Sequence, residues 1–258
     1  MDFVDALSLN MLERAEVSPT PLKSFLKIES NLIRRYEEDL LKLIDKGFVI
    51  SLRDKLYLGQ VNKIKLIPNG VDLDRFPYLW EPKNEGYIVF LGRMNYPPNE
   101  DAVSYFVEQI LPIIQKKRPE TRFLIVGADP SRKVRTLSRK ARGVQVLGFV
   151  PDVVPYLKAA SVFVAPLRRA TGLQNKVLEA MAVGVPVIAS PKVVQGLGEE
   201  SSTCLLTAEN ADDFAEKTLT ILSDPVLSLK LSRAAREFVQ ERFDWKLIGK
   251  ALIDELLS

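Results

Sequence analysis

The feature that most constrains the fold is a regular alternation of short apolar runs and helix-like segments, which begins near residue 86. Continuous apolar runs of four or five residues are typical of strands buried on both faces, as in a parallel sheet. The predicted strands are residues 87–91, 122–126, 144–147, 161–165 and 185–189. The predicted helices are residues 100–115, 131–141, 153–159, 174–183, 211–223, 225–242 and 245–257. This pattern predicts an α/β protein with a Rossmann-like, doubly wound parallel sheet.

The first 80 residues contain too few strands for a second sheet of this kind. Apolar residues recur every three to four positions between residues 22 and 44, which predicts a long helix, and short strands are expected at 48–51 and 63–67. Residues 78–86 are poor in aliphatic side chains and are predicted to be a linker. We therefore predict that residues 1–80 are the remnant of an N-terminal domain with its linker, and that residues 81–258 form a complete α/β domain.

Composition excludes several classes of site. The chain has 258 residues, of which 47% are hydrophobic and 27% charged, as in an ordinary folded protein with a core. It contains no histidine, which excludes histidine bases, histidine triads and histidine metal ligands. Its single cysteine, Cys204, excludes an intrachain disulfide and a cysteine zinc cluster, and favours a reducing compartment. No metal site is expected.

Charge and hydropathy indicate the location and the partners. No apolar run approaches the ~18–20 residues of a membrane span, and the first residues do not resemble a signal peptide. We therefore expect a cytoplasmic protein, whose contact with the membrane is at most peripheral, at the inner face. The net charge of +3 is compatible with an anionic ligand. A run from Arg132 to Arg142 holds six basic residues and no acid; it could contact anionic lipid or nucleic acid, or be a solvated helix face. Because no aromatic residue alternates with it, no nucleic-acid partner is expected.

Ligands of open parallel sheets bind beyond the carboxyl ends of the strands, and the loop before residues 174–183 carries the strongest candidates there. Gly172 permits close backbone approach, and Lys176 adds a positive charge where free amides point outward, which suits a phosphate. Glu179, one turn later, could accept hydrogen bonds from the vicinal hydroxyls of a sugar. The alternative is a helix that starts at a glycine and carries a solvated lysine and glutamate. The candidate phosphate-binding residues of this loop are Gly172, Leu173, Gln174, Asn175 and Lys176.

Two further loops carry candidates. Arg93 follows Gly92 at the end of a strand, where its guanidinium could bind a phosphate or pair with a surface carboxylate. Backbone groups of Gly148, Phe149 and Val150, beside an apolar side chain, suit the edge of a nucleobase. The loop at Gly92 lacks the second and third glycines of a dinucleotide fingerprint, which argues against a nicotinamide enzyme.

Six segments, in this order along the chain, resemble the donor-binding half of glycosyltransferase family 4, whose members have the GT-B fold of two Rossmann-like domains. The resemblance extends from about residue 47 to the C terminus, and the loops at residues 92–99 and 172–176 look closest to sugar transferases associated with exopolysaccharide assembly. The six segments are residues 67–72 (IPNGVD), 91–93 (LGR), 148–150 (GFV), 164–167 (VAPL), 178–182 (LEAMA) and 184–188 (GVPVI).

The resemblance implies a retaining, metal-independent transferase without a cofactor. Such an enzyme moves a sugar from a UDP-, GDP- or ADP-sugar to a hydroxyl of a carbohydrate or lipid-linked acceptor, in polysaccharide or glycolipid synthesis. Carried over by position, Arg93 and residues 172–176 would bind the diphosphate of the donor. Glu179 would hold the ribose, and residues 148–150 would hold the base.

The chain departs from the family pattern at three points. The family usually has a glutamate eight residues before Glu179, where this chain has Thr171, so the catalytic residue is not assigned. Pro98 stands where a lysine is common, and Lys176 is hypothesised to supply that charge. We expect the acceptor-side domain, with the histidine that the family carries there, to be represented only by its last helices and strands, in residues 1–66.

Two interpretations of function follow from these departures. The first is a transferase represented by its donor-binding half. The alternative is a non-catalytic module that binds nucleotide sugars, or half of a split enzyme that needs a partner chain. In either case the helices at residues 22–44 and 245–257 would expose apolar surface, which predicts self-association or a partner that supplies the acceptor domain.

Overall fold

A computed structural model describes residues 1–16, 18–59, 62–83, 86–169 and 172–257. The chain divides into two units, Met1–Asn69 with Ile248–Ser258, and Gly70–Leu247, and each unit is built on its own parallel sheet. The division comes before the boundary expected at residue 80, and the end of the chain belongs to the first unit. The identification of the two parts as an acceptor-side remnant and a donor domain stays a prediction.

The first unit has a small parallel sheet in the order β1-β2-β3. The long helix and both predicted strands are confirmed, whereas β1, α1 and α3 were not predicted because short elements carry little periodic signal. Its elements are β1 (Asp2–Val4), α1 (Leu7–Glu16), α2 (Leu22–Leu43), β2 (Gly47–Val49), α3 (Leu52–Leu58) and β3 (Ile64–Leu66). Its core consists of the buried residues Ala6, Leu41, Val49, Leu58 and Ile64.

Helix α2 carries apolar side chains on two faces. Leu26 and Leu41 are buried on one face. The other face is an apolar stripe whose members are all at least 43% exposed. The stripe consists of Leu22, Phe25, Ile28, Leu32, Tyr36 and Leu43. The exposed apolar surface expected from the sequence is therefore present, and the self-association inferred from it stays a prediction.

The second unit has a six-stranded parallel sheet in the order β6-β5-β4-β7-β8-β9, with helices on both faces. Its strands are β4 (Tyr87–Leu91), β5 (Phe123–Val126), β6 (Val144–Gly148), β7 (Ala160–Ala165), β8 (Val187–Ala189) and β9 (Leu206–Thr207). Its helices are α4 (Pro97–Tyr105), α5 (Leu111–Lys117), α6 (Arg132–Lys140), α7 (Val154–Ala159), α8 (Asn175–Val183), α9 (Pro191–Leu197), α10 (Ala211–Ser223) and α11 (Pro225–Arg242), and α12 (Trp245–Leu257) continues into the first unit. A π-helical turn, Phe106–Ile110, joins α4 to α5, and a 3₁₀ helix, Glu199–Thr203, follows α9.

The strands predicted from the sequence are confirmed with small changes at their ends. Strand β8 begins at Val187 rather than at residue 185, because Pro186 has no N–H to donate to the ladder. The carbonyl of Pro186 still accepts from the Phe163 amide at 2.9 Å. The short β9 and α9 were not predicted. None of the helices in the described ranges is long and apolar enough to cross a membrane.

The strand order places a crevice beside β4. Strand β4 pairs with β5 on one side and with β7 on the other, so successive connections leave the sheet in opposite directions at this point. In doubly wound sheets, ligands bind at the carboxyl ends of the strands at such a switch point. The two central strands are held together by apolar packing, including the stacked rings of Phe90 and Phe163, whose centroids are 6.3 Å apart.

The basic run lies on α6 and just beyond it. Lys133 and Lys140 lie 3.8 and 3.5 Å from the carboxylates of Glu100 and Glu108 on the neighbouring helical segment. These lysines are more than half exposed, so the pairs are weak. This arrangement favours the solvated helix face among the two interpretations of the run.

Candidate active site

The candidate site is a cavity at the carboxyl edge of the six-stranded sheet, within the second unit. Its volume is about 310 Å³, which suits a small molecule. Four predicted residues from separate parts of the chain, Phe149, Val150, Lys176 and Glu179, line this one cavity. The full lining consists of Leu91, Gly92, Val126, Gly127, Phe149, Val150, Val153, Lys176 and Glu179.

The floor of the cavity is backbone, because two glycines bring the ends of β4 and β5 together. A Cβ atom at Gly127, where φ is +148°, would lie 1.8 Å from the carbonyl oxygen of Gly92. The Gly127 amide also donates to the Gly148 carbonyl at 2.9 Å, which ties in the end of β6. A side chain at Gly127 would therefore displace the loop after β4.

Arg93 lies next to the cavity without lining it. The Nε atom of its exposed guanidinium donates to Oδ2 of Asp129 at 3.1 Å. This is the surface pairing that the sequence left open as the alternative to a phosphate contact. Since an exposed pair of this kind contributes at most about 1 kcal/mol, the guanidinium can exchange Asp129 for another anion at little cost. Its role in diphosphate binding stays a prediction.

The loop after β6 supplies an exposed aromatic ring. Gly148 ends the strand with φ +74°, Phe149 is 75% exposed, and Val150 packs partly against the core. An aromatic ring that stands in solvent at the edge of a cavity offers a flat apolar surface to a planar ligand. The assignment of residues 148–150 to a nucleobase stays a prediction.

The loop before α8 leads into the N terminus of that helix. Helix α8 begins at Asn175, and the side chain of its N-cap residue Gln174 makes no capping bond. Gly172 has φ +64° and its carbonyl accepts from Gln174 Nε2 at 3.3 Å, while Leu173 is buried against the core. The N–H groups and dipole at a helix N terminus are suited to an anion. Thr171 lies outside the described residues.

Lys176, in the first turn of α8, is the central cation of the site. Its Nζ donates to Asn99 Oδ1 at 2.8 Å and to Gln174 Oε1 at 3.1 Å, and lies 5.5 Å from the centroid of the Phe90 ring. Burial lowers the pKa of this lysine from 10.5 to about 8, although the nearby charge of Glu179 opposes the change. The ammonium is therefore desolvated but still mostly protonated at pH 7. The structure therefore contradicts the alternative interpretation, in which this lysine is solvated.

Glu179 lies one turn beyond Lys176 on the same side of α8. Burial raises the pKa of its carboxyl group, and the positive charges of Arg75 and Lys176 oppose that rise. Arg75 was not singled out in the sequence, because it lies about 100 residues from Glu179 and outside the strand-to-helix loops. A half-buried carboxylate between two cations is suited to accept hydrogen bonds from hydroxyl groups.

Asn99 is a second residue that the sequence analysis missed. It lies in the first turn of α4, and its side chain is buried against Gly92. Its Nδ2 donates to the carbonyl of Arg93 at 2.9 Å, while its Oδ1 accepts from Lys176. A polar residue in the first turn of a helix is usually solvated, so only the packing identifies this one as part of the site.

A larger cavity, of about 700 Å³, lies at the opposite edge of the sheet. Two of its lining arginines already have protein partners, since Arg118 donates to the carbonyl of Leu222 and Arg142 to the carboxylate of Glu120. It lies at the amino ends of the strands, where doubly wound sheets do not place their ligands. We therefore assign the site to the smaller cavity at the carboxyl edge.

Comparison with known proteins identifies a family. The family model described as "Glycosyl transferases group 1" matches residues 85–224, which include every residue that lines the smaller cavity. The chain is 28% identical over 230 residues to a GDP-mannose-dependent monoacylated alpha-(1-6)-phosphatidylinositol monomannoside mannosyltransferase of Corynebacterium glutamicum, with 80% of this chain and 59% of that protein covered. It is 29% identical over 212 residues to a glycogen synthase of Mycobacterium tuberculosis, with 76% of this chain and 49% of that protein covered. The chain thus spans about half to three fifths of the length of these curated relatives.

Solved structures share the fold. TarM superimposes with a TM-score of 0.71 at 20% identity, covering 86% of this chain and 45% of that one. Anabaena Alr3699/HepE, solved in complex with UDP and glucose, superimposes with a TM-score of 0.71 at 17% identity, and the match covers 88% of this chain and 67% of that one. These likenesses confirm the predicted fold class, a Rossmann-like α/β sheet of the GT-B kind.

Proposed function

The chain belongs to the group 1 glycosyl transferases, and on this premise we propose that its smaller cavity binds the nucleoside diphosphate part of a sugar donor. In the proposed reaction, the sugar passes to a hydroxyl group of a carbohydrate or lipid-linked acceptor with retention of anomeric configuration. The observation that supports this best is the convergence of Phe149, Glu179 and Lys176, from two separate segments, on one cavity of about 310 Å³.

Each part of such a donor has a counterpart in the site. The exposed ring of Phe149 and the neighbouring backbone would bind the base, and the Glu179 carboxylate would accept hydrogen bonds from the ribose hydroxyls. Lys176 and the N terminus of α8 would bind the diphosphate, and Arg93 would join them by leaving Asp129. The relative solved with UDP and glucose supports a nucleotide-sugar ligand for this fold.

The chemical task on this side of the reaction is to stabilise a leaving diphosphate. The bond between the anomeric carbon and the phosphate oxygen breaks, and its electron pair stays on the diphosphate. The acceptor oxygen takes its place, and the proton of the acceptor hydroxyl passes to the departing diphosphate oxygen as the new bond forms. A desolvated ammonium stabilises such growing negative charge more strongly than a solvated one does. We propose that Lys176 and the helix N terminus supply this positive charge without a divalent metal.

A binding series tests the donor site. We would measure thermal unfolding with UDP, GDP, ADP and their sugar conjugates, each with and without EDTA. A ligand at ~100 times its dissociation constant adds about 2.7 kcal/mol, which corresponds to a shift of roughly 5–10 °C for a chain of this size. We expect a shift with one nucleotide that EDTA does not reduce. Absence of binding by every nucleotide in titration calorimetry would contradict the proposal, and a shift abolished by EDTA would contradict its metal independence.

Two substitutions test the assigned contacts. Lys176→Gln removes a charge-assisted contact to phosphate, which is typically worth about 1.5–3 kcal/mol, so affinity for the diphosphate should fall roughly 10- to 150-fold while affinity for the parent nucleoside changes little. Lys192→Gln, at an exposed lysine of α9, is the matched control. Glu179→Ala should weaken binding of the ribonucleotide but not of its 2′-deoxy form.

A product assay separates the two functional alternatives. The chain spans about half to three fifths of the length of these curated relatives, so the acceptor side of the reaction is itself part of the proposal. Release of nucleoside diphosphate from the donor, by transfer or by hydrolysis, would support an enzyme. Donor binding without any release would favour a binding module or half of a split enzyme.

A further inference from the structure

We infer that Asn99 is a positioning residue of the donor site, whose neutral side chain holds the Lys176 ammonium against the cavity without cancelling its charge. This inference rests on the proposed function, because it concerns the cation that would meet the donor diphosphate. It adds a residue from a different loop, more than 70 positions away in sequence, to the phosphate-binding machinery.

The contacts of Asn99 link two loops of the site. Its side chain is almost fully buried, at 3% exposure. The amide nitrogen donates to the carbonyl of Arg93 at 2.9 Å, and this bond fixes which way the amide group faces. The amide oxygen then points at Lys176 and accepts from its Nζ at 2.8 Å. Because a carbonyl can only accept, the Arg93 backbone selects the orientation that offers an oxygen to the lysine.

The neutrality of the acceptors is the feature that suits anion binding. Within the described residues, the hydrogen-bond acceptors of Lys176 are the amide oxygens of Asn99 and Gln174, neither of which carries a charge. Glu179 is the charged group that acts on this ammonium, and the positive charge of Arg75 acts on the same carboxyl group. A carboxylate in place of the Asn99 amide would make the same hydrogen bond but would neutralise the cation before a phosphate arrives.

The geometry also restricts where the ammonium can go. On one side it faces the ring of Phe90, and on another it is held by Asn99, which packs against Gly92. An ammonium has three N–H donors, and these two amide oxygens use two of them. A donor held in this way is already oriented for an incoming phosphate oxygen, which lowers the entropy cost of binding.

The test is Asn99→Asp, with Asn95→Asp as its matched control. Both substitutions place one negative charge in the segment that follows β4, but Asn95 is exposed and, among the described residues, is not a hydrogen-bond acceptor of Lys176. We expect Asn99→Asp to weaken binding of the nucleoside diphosphate at least 10-fold and to leave binding of the nucleoside within about 2-fold. Asn95→Asp should change both by less than about 3-fold. In the Lys176→Gln background, Asn99→Asp should have little further effect, because the two residues act as one unit.

A second readout needs no ligand. The pKa of the Lys176 amine can be measured by competitive acylation followed by peptide mass spectrometry across pH 6–11. Asn99→Asp should raise that pKa, since an ion pair favours the charged amine, and Asn95→Asp should not. If Asn99→Asp does not fold, Asn99→Ala takes its place: removal of the acceptor should increase acylation of Lys176 and weaken diphosphate binding relative to Asn95→Ala.

The outcomes separate this inference from the proposed function. If the wild-type protein binds the nucleotide but Asn99→Asp and Asn95→Asp weaken diphosphate binding equally, the inference is overturned and the proposed function stands. An unchanged Lys176 pKa in Asn99→Asp would also overturn it. If the wild-type protein binds no nucleotide, both the proposed function and the role of Asn99 in donor binding are overturned. The acylation experiment would then still decide whether Asn99 holds Lys176.

Discussion

Replacement of Lys176 by methionine should stabilise the ligand-free protein at neutral pH, although it removes the cation that we assign to the diphosphate. Methionine keeps an unbranched apolar chain in the same space and removes the buried charge. Burial lowers the pKa of Lys176 from 10.5 to about 8. At 1.36 kcal/mol per pH unit, this difference corresponds to a cost to folding of about 3 kcal/mol at pH 7. The substitution removes the hydrogen bonds of Lys176 to both amide oxygens: that to buried Asn99 Oδ1 costs about 1–2 kcal/mol, whereas water can replace that to the less buried Gln174 Oε1. The net expectation is a gain of about 1–2 kcal/mol.

The gain should depend on pH in a defined direction. The unfolded lysine keeps its proton up to about pH 10.5, whereas the folded lysine loses it near pH 8, so the unfolded state binds more protons between these values. Wild-type stability therefore rises with pH in this window, and the penalty is complete only below pH 8. At pH 9.5 about 1.4 kcal/mol of the penalty remains, so the advantage of methionine should fall to about zero. The absence of histidine simplifies the comparison, because no imidazole titrates near neutral pH.

Urea unfolding monitored by tryptophan fluorescence at pH 7.0 and 9.5 measures this difference. The buried indole of Trp80, whose Nε1 donates to the carbonyl of Ala160 at 2.7 Å, reports on the second unit. Lys192→Met, at an exposed position of α9, should change the free energy of unfolding by less than about 0.5 kcal/mol at either pH. The reasoning would be refuted if Lys176→Met were less stable than wild type at pH 7, or if its advantage were equal at the two pH values.

Three further predictions concern other parts of the molecule. Gly127→Ala should lower the free energy of unfolding in urea by at least about 2 kcal/mol and abolish nucleotide binding, because its Cβ would lie 1.8 Å from the Gly92 oxygen. Its control, Gly249→Ala, has no atom within 4 Å of its Cβ and should be neutral or slightly stabilising. Cys204 is buried and burial raises its thiol pKa to about 12, so it should react with a disulfide reagent at pH 8 only when urea unfolds the protein; rapid reaction in native buffer would contradict its placement. Glu37→Ala should lower the stability of the first unit by about 2–3 kcal/mol in circular dichroism melts, because the buried carboxylate accepts hydrogen bonds from the amide and hydroxyl of Ser8. An effect no larger than that of Glu38→Ala, at an exposed position, would argue against this role.

The parts of the fold that could be predicted from the sequence are those with a strong periodic pattern. The central strands and helix α2 satisfy this condition, whereas α3 and α9 are seven residues long and give too few turns for a period to be visible. The start of β8 depends on the missing N–H of Pro186, which the apolar pattern does not register.

The candidate site divides in the same way. Lys176 could be found because a charged residue in the first turn of a helix after a parallel strand is informative by itself. Glu179 could be found because it lies one turn later in the same helix. The partner of Arg93 could not be found, because Asp129 follows another strand and the pairing depends on the strand order. The roles of Asn99 and Arg75 depend on burial and on contacts between distant segments, which one sequence does not contain.

The strand order also determines when the site can form during folding. In the middle of the sheet, Ile88 of β4 pairs with Phe123 on one side and with Val162 on the other. Strands β4, β5 and β6 follow one another along the chain and can pair first, because they close shorter loops. We expect Lys176 and Glu179 to join them only after β7 has paired with β4 across a longer loop and α8 has docked. A nucleotide therefore meets a complete site only in the last stage of folding, so we expect it to slow unfolding rather than to accelerate refolding.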